Sequence, residues 1–286
     1  MKTKDKTKPS KIAFKKIKVI KALDYMPAGN DVARTIINYQ GSIIPAFIKV
    51  ERSKYADFET EIKHLNIITK HGLYNKTPLI YESGMFNDKR YIALEALMGR
   101  SLNEILKGKN KNKNDYLFKY GKELALIHQI SVTGFDLAFE RPINTIPSEE
   151  NYNLKEPVVK KYLKYLENMP QINHDTFIHG DFHYANILWR NGNISGVIDW
   201  EYSGAGFKEQ DIAWALILRL GQKFMINVKD MHMFLKGYLT SEDYNEEALR
   251  WCLINGYLHF YLMNKNKAYK KRLLKIMDSI LVTNPL

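Results

Sequence analysis

Apolar and polar residues alternate in short runs along the first hundred residues, a pattern typical of strands. One strand is predicted over "FKKIKVIKAL", and a hairpin over "ARTIINYQG" and "SIIPAFIKV" with its turn at Gln40-Gly41. A second strand pair, "PLIYESGMFNDKRYIALEAL", turns at Asn87-Asp88. Together these runs predict a small antiparallel sheet.

One segment between the two strand pairs has helical spacing instead. In "YADFETEIKHLNIITKHG" the apolar residues Phe58, Ile62 and Leu65 fall on one helical face, and Gly72 ends the predicted helix. After residue 100 the pattern changes, because "GRSLNEIL" has the capping-box spacing that opens a helix.

The rest of the chain is mostly helical in pattern. The predicted helices are "YLFKYGKELALIHQI", "VKKYLKYLENM", "DIAWALILRLGQKFM", "VKDMHMFLKGYL" and "EEALRWCLINGYLHFYLMNK". The exception is a hairpin formed by "NILW" and "SGVIDWE", whose turn contains Asn191-Gly192, a pair that tolerates positive φ. The polar stretch from residue 107 to residue 115 is expected to be a loop.

These elements predict an α+β chain with two lobes. Residues 1–95 form a small N-terminal lobe with an antiparallel sheet and one helix, of which residues 1–11 are a basic tail. A hinge is expected at residues 96–100. Residues 101–286 form a larger, mostly helical C-terminal lobe that contains the hairpin. A chain of 286 residues is long enough to bury a large core.

The net charge of +12 does not indicate a nucleic-acid partner. Residues 1–21 carry nine lysines and one aspartate, and residues 265–286 have a net charge of +5, whereas residues 134–264 hold 17 acidic and 12 basic residues. The positive charge therefore lies at the two ends, not in a stripe that could follow a phosphate backbone.

Other features favour a cytoplasmic protein without a membrane span. The single cysteine, Cys252, cannot form an internal disulfide. The basic amino terminus has no apolar core of the kind that secretory signals contain. The longest apolar run, "IAWALIL", is too short to cross a bilayer.

The candidate chemistry lies in "HGDFHYANILWRNGNISGVIDWE", His179 to Glu201. Asn186 precedes the predicted hairpin and Asp199 ends it, so their oxygens are expected to hold Mg²⁺, a hard cation. Asp181 is then left to accept the proton of an attacking hydroxyl, as phosphoryl transfer requires. His179, Asp181 and His183 could instead form a hydrolytic metal site, but no second histidine cluster completes it. His179 is therefore expected to be a structural hydrogen-bonding residue.

A kinase also needs a lysine for the nucleotide phosphates, paired with a helix glutamate. Lys49 lies in the predicted strand "AFIKV", and the following helix offers Glu59 and Glu61. Glu61 lies within the apolar stripe of that helix, where a carboxylate needs a partner. Glu61 is therefore the predicted partner of Lys49.

Two segments, "FIHGDFHYANIL" and "GVIDWEYSGAGFKEQDIAWAL", resemble the aminoglycoside phosphotransferase and choline kinase superfamily. Three of its motifs are present: His179-Gly180-Asp181 with Asn186, Ile198-Asp199-Trp200-Glu201, and Asp211-Ile212-Ala213. The resemblance implies a bilobal protein-kinase-like fold and a small-molecule kinase that uses Mg²⁺ and ATP or GTP.

The resemblance also implies residue roles. Asp181 is then the catalytic base, Asn186 and Asp199 bind Mg²⁺, and Lys49 and Glu61 position the nucleotide. The backbone near Glu95 to Leu97 would hold the nucleotide base, and Asp211 would brace the catalytic loop. The chain lacks the glycine-rich loop of protein kinases, since the corresponding turn, "MPAGNDVA", has only Gly29.

The acceptor is predicted from weaker signals. The acidic balance of residues 134–264 favours a cationic acceptor, most simply an aminoglycoside-type antibiotic. A choline or other small-metabolite kinase is the alternative, and a nucleotide-binding pseudokinase is the alternative of another class. Candidate acceptor contacts are Glu201, Trp251 and Tyr257, the last two because aromatic faces attract cations.

Overall fold

The computed structural model describes residues 6–26, 29–52, 57–107 and 112–283, apart from the side chain of Pro142. The chain forms two compact units, Met1–Met98 with Ser195–Tyr202 and Gly99–Ile194 with Ser203–Leu286. Parts of the predicted basic tail, the turn before Gly29, the start of the first helical segment and the polar loop after residue 107 lie outside the described residues. No helix within the described ranges is long and apolar enough to cross a membrane.

The smaller unit contains a five-stranded antiparallel sheet in the order β1-β2-β3-β5-β4. Its strands are β1 (Ile17–Tyr25), β2 (Asp31–Tyr39), β3 (Ser42–Val50), β4 (Ile80–Phe86) and β5 (Lys89–Glu95). Helix α1 (Phe58–Lys70) follows β3. Both hairpins turn where the sequence predicts, and Gln40, Gly41, Asn87 and Asp88 all have positive φ. The core includes Ile37, Ile48 and Ala93, which are fully buried.

The larger unit is mostly helical. Its helices are α2 (Leu102–Ile105), α3 (Lys113–His128), α4 (Pro157–Leu166), α5 (Lys208–Leu216), α6 (Val228–Tyr238), α7 (Glu246–Met263) and α8 (Lys267–Val282). The predicted capping box is present at the start of α2. Short 3₁₀ helices lie at Pro9–Lys11 in the smaller unit and at Pro142–Asn144 in the larger one.

Short strands lie between these helices along the chain, and the end of β9 belongs to the smaller unit. They are β6 (Arg100–Ser101), β7 (Thr176–Ile178), β8 (Ile187–Arg190), β9 (Asn193–Val197) and β10 (Gly204–Gly206). Strand β6 pairs with β8 and β7 pairs with β10, both antiparallel. The predicted turn between β8 and β9 is confirmed, because Asn191 and Gly192 both have positive φ.

Helix α5 is shorter than the sequence predicts. The helical spacing of "DIAWALILRLGQKFM" continues to Met225, but α5 ends at Leu216 and Ile217 is extended. Arg219 explains the end, because its guanidinium donates to the carbonyl oxygens of Trp214 and Ile217 at 3.1–3.2 Å. Carbonyl groups at a helix end need such donors. The predicted helix beyond Leu216 is therefore wrong.

Two glycines allow α3 and α6 to approach closely. A Cβ atom at Gly121 would lie 1.9 Å from the carbonyl oxygen of Phe234. A Cβ atom at Gly237 would lie 1.9 Å from the carbonyl oxygen of Phe118. Neither side chain could be added without moving the two helix backbones apart, so this pair of helices depends on glycine at both positions.

We expect Gly121→Ala to lower the free energy of unfolding by about 1–3 kcal/mol, the usual cost of overpacking a core. Urea denaturation followed by circular dichroism measures this loss. Gly29→Ala is the matched control, because a Cβ atom there would meet nothing within 4 Å. Equal stability of the two variants would contradict this account of the α3–α6 contact.

Candidate active site

In the smaller unit, Lys49 contacts two carboxylates. It lies on β3, opposite Val32 on β2 and Ile92 on β5. Its Nζ atom is 2.6 Å from Glu61 Oε2 on α1 and 2.7 Å from Asp199 Oδ1. The structure therefore places the glutamate chosen from the helical pattern against the strand lysine.

The other glutamate of α1 has a different partner. Glu59 forms an ion pair with Arg90 on β5, and its side chain is largely exposed. The apolar stripe of α1 explains the difference, since Phe58, Glu61 and Leu65 are all fully buried on it.

Burial and nearby charges both shift the pKa values of Lys49 and Glu61, whose side chains are 9% and 0% exposed. Burial alone would lower the pKa of Lys49, but the nearby carboxylates of Asp199, Glu61 and Glu201 hold it well above its ordinary value. Burial raises the pKa of Glu61. Lys49 therefore stays charged throughout the neutral range.

Three carboxylates surround this lysine. Glu61, Asp199 and Glu201 each offer one oxygen, and these oxygens lie within 4.8 Å of one another. Lys49 supplies one positive charge against three carboxylates, and carboxylate oxygens are the ligands that Mg²⁺ prefers. The donor set of the smaller unit therefore fits a divalent cation.

The sequence predicts Glu201 as an acceptor contact, and its surroundings give it a second candidate role. It is buried, and Asn30 Nδ2 donates to its Oε2 at 3.4 Å. Its charge also contributes to the raised pKa of Lys49. This position within the carboxylate cluster makes Glu201 a candidate for the nucleotide or cation side of the reaction.

The remaining nucleotide-site candidates lie at strand ends of the smaller unit. Glu95 is the last residue of β5, and its amide donates to the Leu79 carbonyl at 2.8 Å. Leu97 follows in a segment without regular secondary structure. Gly29 is exposed, and a Cβ atom there would meet nothing within 4 Å, so space does not require glycine at this turn.

In the larger unit, Asp181 and Asn186 lie on the loop between β7 and β8. Asn186 Nδ2 donates to Asp181 Oδ2 at 2.8 Å and to the Asp181 carbonyl at 3.0 Å. These bonds leave the Asn186 carbonyl oxygen as the atom suited to a hard cation. Gly180 has a φ of 74°, a left-handed conformation that glycine adopts without strain.

Two further residues hold the Asp181 carboxylate. Arg141 Nη1 lies 2.8 Å from Asp181 Oδ1, and Trp214 Nε1 donates to the same oxygen at 2.7 Å. Burial alone would raise the pKa of Asp181, but hydrogen bonding from His183 and the charge of Arg141 hold it well below its ordinary range. Asp181 is therefore ionised at neutral pH.

His179 and Asp211 support the start of this loop. Asp211 Oδ2 accepts the His179 backbone N–H at 2.8 Å, and it also lies 3.3 Å from His128 Nε2. His179 Nδ1 in turn accepts the Asp181 backbone N–H at 3.2 Å. Both residues are buried, so they act on Asp181 through the loop backbone.

The two aromatic acceptor candidates differ in position. Trp251 borders a cavity of about 220 Å³ in the larger unit and donates through Nε1 to the Leu166 carbonyl at 3.0 Å. Tyr257 is fully buried, and its hydroxyl donates to the Leu216 carbonyl and accepts the Leu218 N–H, both at 3.2 Å. Its hydroxyl thus stabilises the chain after α5.

Sequence reasoning missed Arg141 and Trp214. Trp214 lies three residues after Asp211 on α5, so helical spacing could have placed both on one face. Arg141 lies in the connection between α3 and α4, where no periodic pattern marks it. Its contact with Asp181 depends on tertiary structure alone.

Solved structures with the same fold include several kinases. One is a thermostable mutant of aminoglycoside phosphotransferase APH(4)-Ia in ternary complex with ADP and hygromycin B, with 16% identity over 92% of this chain and 94% of that chain and a TM-score of 0.61. The gentamicin–APH(2'')-IIa complex has 14% identity over 96% and 94% of the two chains and a TM-score of 0.55.

A third structure is described as that of a fructosamine-3-kinase from Haemophilus somnus, with 19% identity over 90% of each chain and a TM-score of 0.53. At these identities the likeness shows the fold, so the predicted α+β kinase-like fold is confirmed. A search of curated protein sequences found no match to this chain.

The fold thus defines the class, a kinase-like protein. The family follows from a sequence model described as the phosphotransferase enzyme family, which matches residues 29–250. The chain belongs to this family, and the predicted resemblance is confirmed. As a member of this family the chain is a phosphotransferase.

Proposed function

We propose that this enzyme transfers the γ-phosphate of ATP or GTP to a hydroxyl group of a small molecule in a Mg²⁺-dependent reaction. The observation that carries the proposal is the contact of Lys49 with Glu61 and Asp199, because a charged strand lysine paired with a helix glutamate is suited to position nucleotide phosphates. The ADP and hygromycin B bound by one structural neighbour support the same reaction class.

In the proposed reaction, Asp181 orients the acceptor hydroxyl. Its Oδ1 accepts N–H groups of Arg141 and Trp214. Its Oδ2 accepts an N–H group of Asn186 and is the oxygen proposed to accept the hydroxyl hydrogen bond as well. The acceptor oxygen bonds to the γ-phosphorus while the bond from phosphorus to the β–γ bridging oxygen breaks, which releases the nucleoside diphosphate. The hydroxyl proton moves to Asp181 late in transfer, because its depressed pKa makes it a weak base.

The other proposed roles follow the residue chemistry. Asn186 and Asp199 hold Mg²⁺, which neutralises phosphate charge when bound. Lys49 binds the phosphates of the donor, and Glu61 keeps Lys49 in place. Glu95, Leu97 and the turn at Gly29 are proposed to border the nucleotide. His179 and Asp211 keep Asp181 in position through hydrogen bonds to the backbone of its loop.

For the acceptor we propose a sugar-derived alcohol. Sequence analysis favours an aminoglycoside-type antibiotic, and the structural neighbours are described with hygromycin B and gentamicin. The fructosamine-3-kinase neighbour supports a second candidate, a sugar-metabolite kinase. Hygromycin B, gentamicin and fructosamine are all sugar derivatives with several hydroxyl groups.

The test is phosphoryl transfer by the purified chain with Mg²⁺ and either ATP or GTP. The panel contains kanamycin, gentamicin, a macrolide, choline, homoserine and simple glycosides. We expect nucleoside diphosphate release to match the gain of one phosphoryl group by an acceptor, measured by mass spectrometry. Removing the metal with EDTA should stop transfer, and Mg²⁺ should restore it. Nucleotide binding without transfer to any acceptor would favour a pseudokinase instead.

A further inference from the structure

We propose that the acceptor carries an uncharged apolar group about the size of one ring, which binds in the cavity beside Trp214, and at most one positive charge. This inference rests on the proposed function and narrows its substrate class. It departs from the cationic acceptor that the net charge of residues 134–264 suggests.

The cavity is small, and its lining is partly apolar and partly polar. Its volume is about 220 Å³, below the roughly 300–1,000 Å³ of pockets that hold a whole drug-sized ligand. Its lining includes Ile143, Ile172, Ile217 and Trp251. A cavity of this size and lining suits one ring or a short alkyl chain, while the rest of the acceptor lies outside it.

Trp214 connects this cavity to the proposed base. The indole ring lines the cavity, and its Nε1 donates to Asp181 Oδ1 at 2.7 Å. An apolar group in the cavity would therefore contact the same indole ring that donates to Asp181. The proposal places a hydroxyl of the adjoining part of the acceptor at this carboxylate.

The charges beside the cavity disfavour a polycation. The guanidinium carbons of Arg141 and Arg219 lie 3.9 and 4.5 Å from the centroid of the Trp214 ring. The Trp214 ring therefore already makes cation–π contacts with two side chains of the protein. A second positive group on an acceptor would also approach two fixed guanidinium charges, of which that of Arg141 is paired with Asp181.

The limit of one positive charge on the acceptor comes from the number of carboxylates in the cavity lining. Among the described residues that line the cavity Glu140 is the single carboxylate, and it is exposed. Asn144, Gln210 and Asn255 add amide groups to the lining, and His174 adds an imidazole. These side chains can bind hydroxyl or ether oxygens, and one ammonium group could face Glu140.

Three compounds test the two proposed properties separately. Phenyl β-glucoside against methyl β-glucoside tests the apolar group, and phenyl β-glucoside against kanamycin tests the positive charge. Binding of each to the full chain with Mg²⁺ and ADP is measured by calorimetry. We expect the phenyl compound to bind about tenfold or more tightly than the methyl compound, the scale on which apolar pockets discriminate. We expect kanamycin to bind more weakly than the phenyl compound.

Met169→Glu places a carboxylate in the cavity wall at a side chain that is 56% exposed, so folding should tolerate it. It should weaken binding of the phenyl compound about tenfold and strengthen that of kanamycin. Leu239→Glu is the matched control, since Leu239 is 53% exposed and belongs to the same unit but does not line the cavity.

Equal binding of the two glucosides, tighter binding of kanamycin, or no detectable binding of the phenyl compound would each overturn the inference. So would an unchanged preference in folded Met169→Glu. Transfer of phosphate to kanamycin would leave the proposed function standing while this inference fell. Failure to bind Mg²⁺ and nucleotide at all would instead remove the proposed function itself.

Discussion

Asp181→Ala is expected to lower kcat by about 10²–10⁴-fold, the range typical of a lost general base. Nucleotide affinity should change much less than kcat, because the donor phosphates are proposed to bind Lys49, whereas the Asp181 side chain is bonded to Arg141, Trp214 and Asn186. Steady-state kinetics with the best acceptor of the panel gives kcat, and calorimetry with Mg²⁺ and ADP gives the nucleotide affinity.

Two further variants make this result specific. Asp181→Asn can still accept the Trp214 N–H but cannot take up a proton at neutral pH, so it should lose as much activity as the alanine variant. Asp175→Ala, an exposed aspartate six residues earlier, should keep normal turnover. Normal kcat in Asp181→Asn would show that proton acceptance by this residue is not needed.

The pH profile should agree with these variants. Because the pKa of Asp181 is held below its ordinary range, its carboxylate is already ionised at mildly acidic pH. Protonation of Asp181 should therefore not cause a fall in kcat/KM between pH 8 and an acidity near the ordinary aspartate pKa, about 4.

The sequence predicts elements well where local pattern and packing agree. The alternation of β3 and the apolar stripe of α1 are enough to choose Glu61 over Glu59 as the neighbour of Lys49, and the structure has that contact. Turn chemistry also locates the hairpins, because positive φ at positions such as Asn191 is a local property.

The features that the sequence does not predict come from interactions between residues that are distant along the chain. Helical spacing continues past Leu216, yet the chain leaves α5 there because Arg219 and Tyr257 satisfy the backbone groups at its end. Arg141 reaches Asp181 from 40 residues away along the chain. No pattern within one segment contains that information.

Charge counting shows the same limit at the acceptor. The net charge of residues 134–264 favours a cationic acceptor, but a sum over a segment does not say which charges meet the ligand. Beside Trp214 the local charges are those of Arg141 and Arg219, with Asp181 as their neighbour. The expectation of a cationic acceptor thus rests on composition, whereas the proposal of an apolar acceptor group rests on local geometry.

Lys49→Met is expected to reduce both stability and activity. Without the lysine, Glu61 is a buried carboxylate without its ion-pair partner, and breaking such a pair costs about 3–5 kcal/mol. Loss of the positive group that is proposed to bind the donor phosphates should lower kcat/KM for ATP about 10²–10³-fold. Urea denaturation and steady-state kinetics measure the two effects separately.

A pH series identifies Glu61 as the cause of the lost stability. Burial raises the pKa of Glu61 in the folded state, so the folded Lys49→Met variant binds a proton more readily than the unfolded chain. The loss of unfolding free energy relative to the unchanged chain should therefore be smallest below the ordinary glutamate pKa and should grow as the pH rises toward neutrality. A loss independent of pH would contradict the role of Glu61.

The double variant Lys49→Met/Glu61→Leu separates folding from nucleotide use. It removes the buried charge as well as its partner, so much of the lost stability should return. Use of ATP should stay low, because no positive group remains to bind the phosphates. Glu59→Gln, on the same helix but paired with Arg90 at the surface, should leave both properties nearly unchanged. If the double variant regained ATP turnover together with stability, Lys49 would be a residue of the core and not of the nucleotide site.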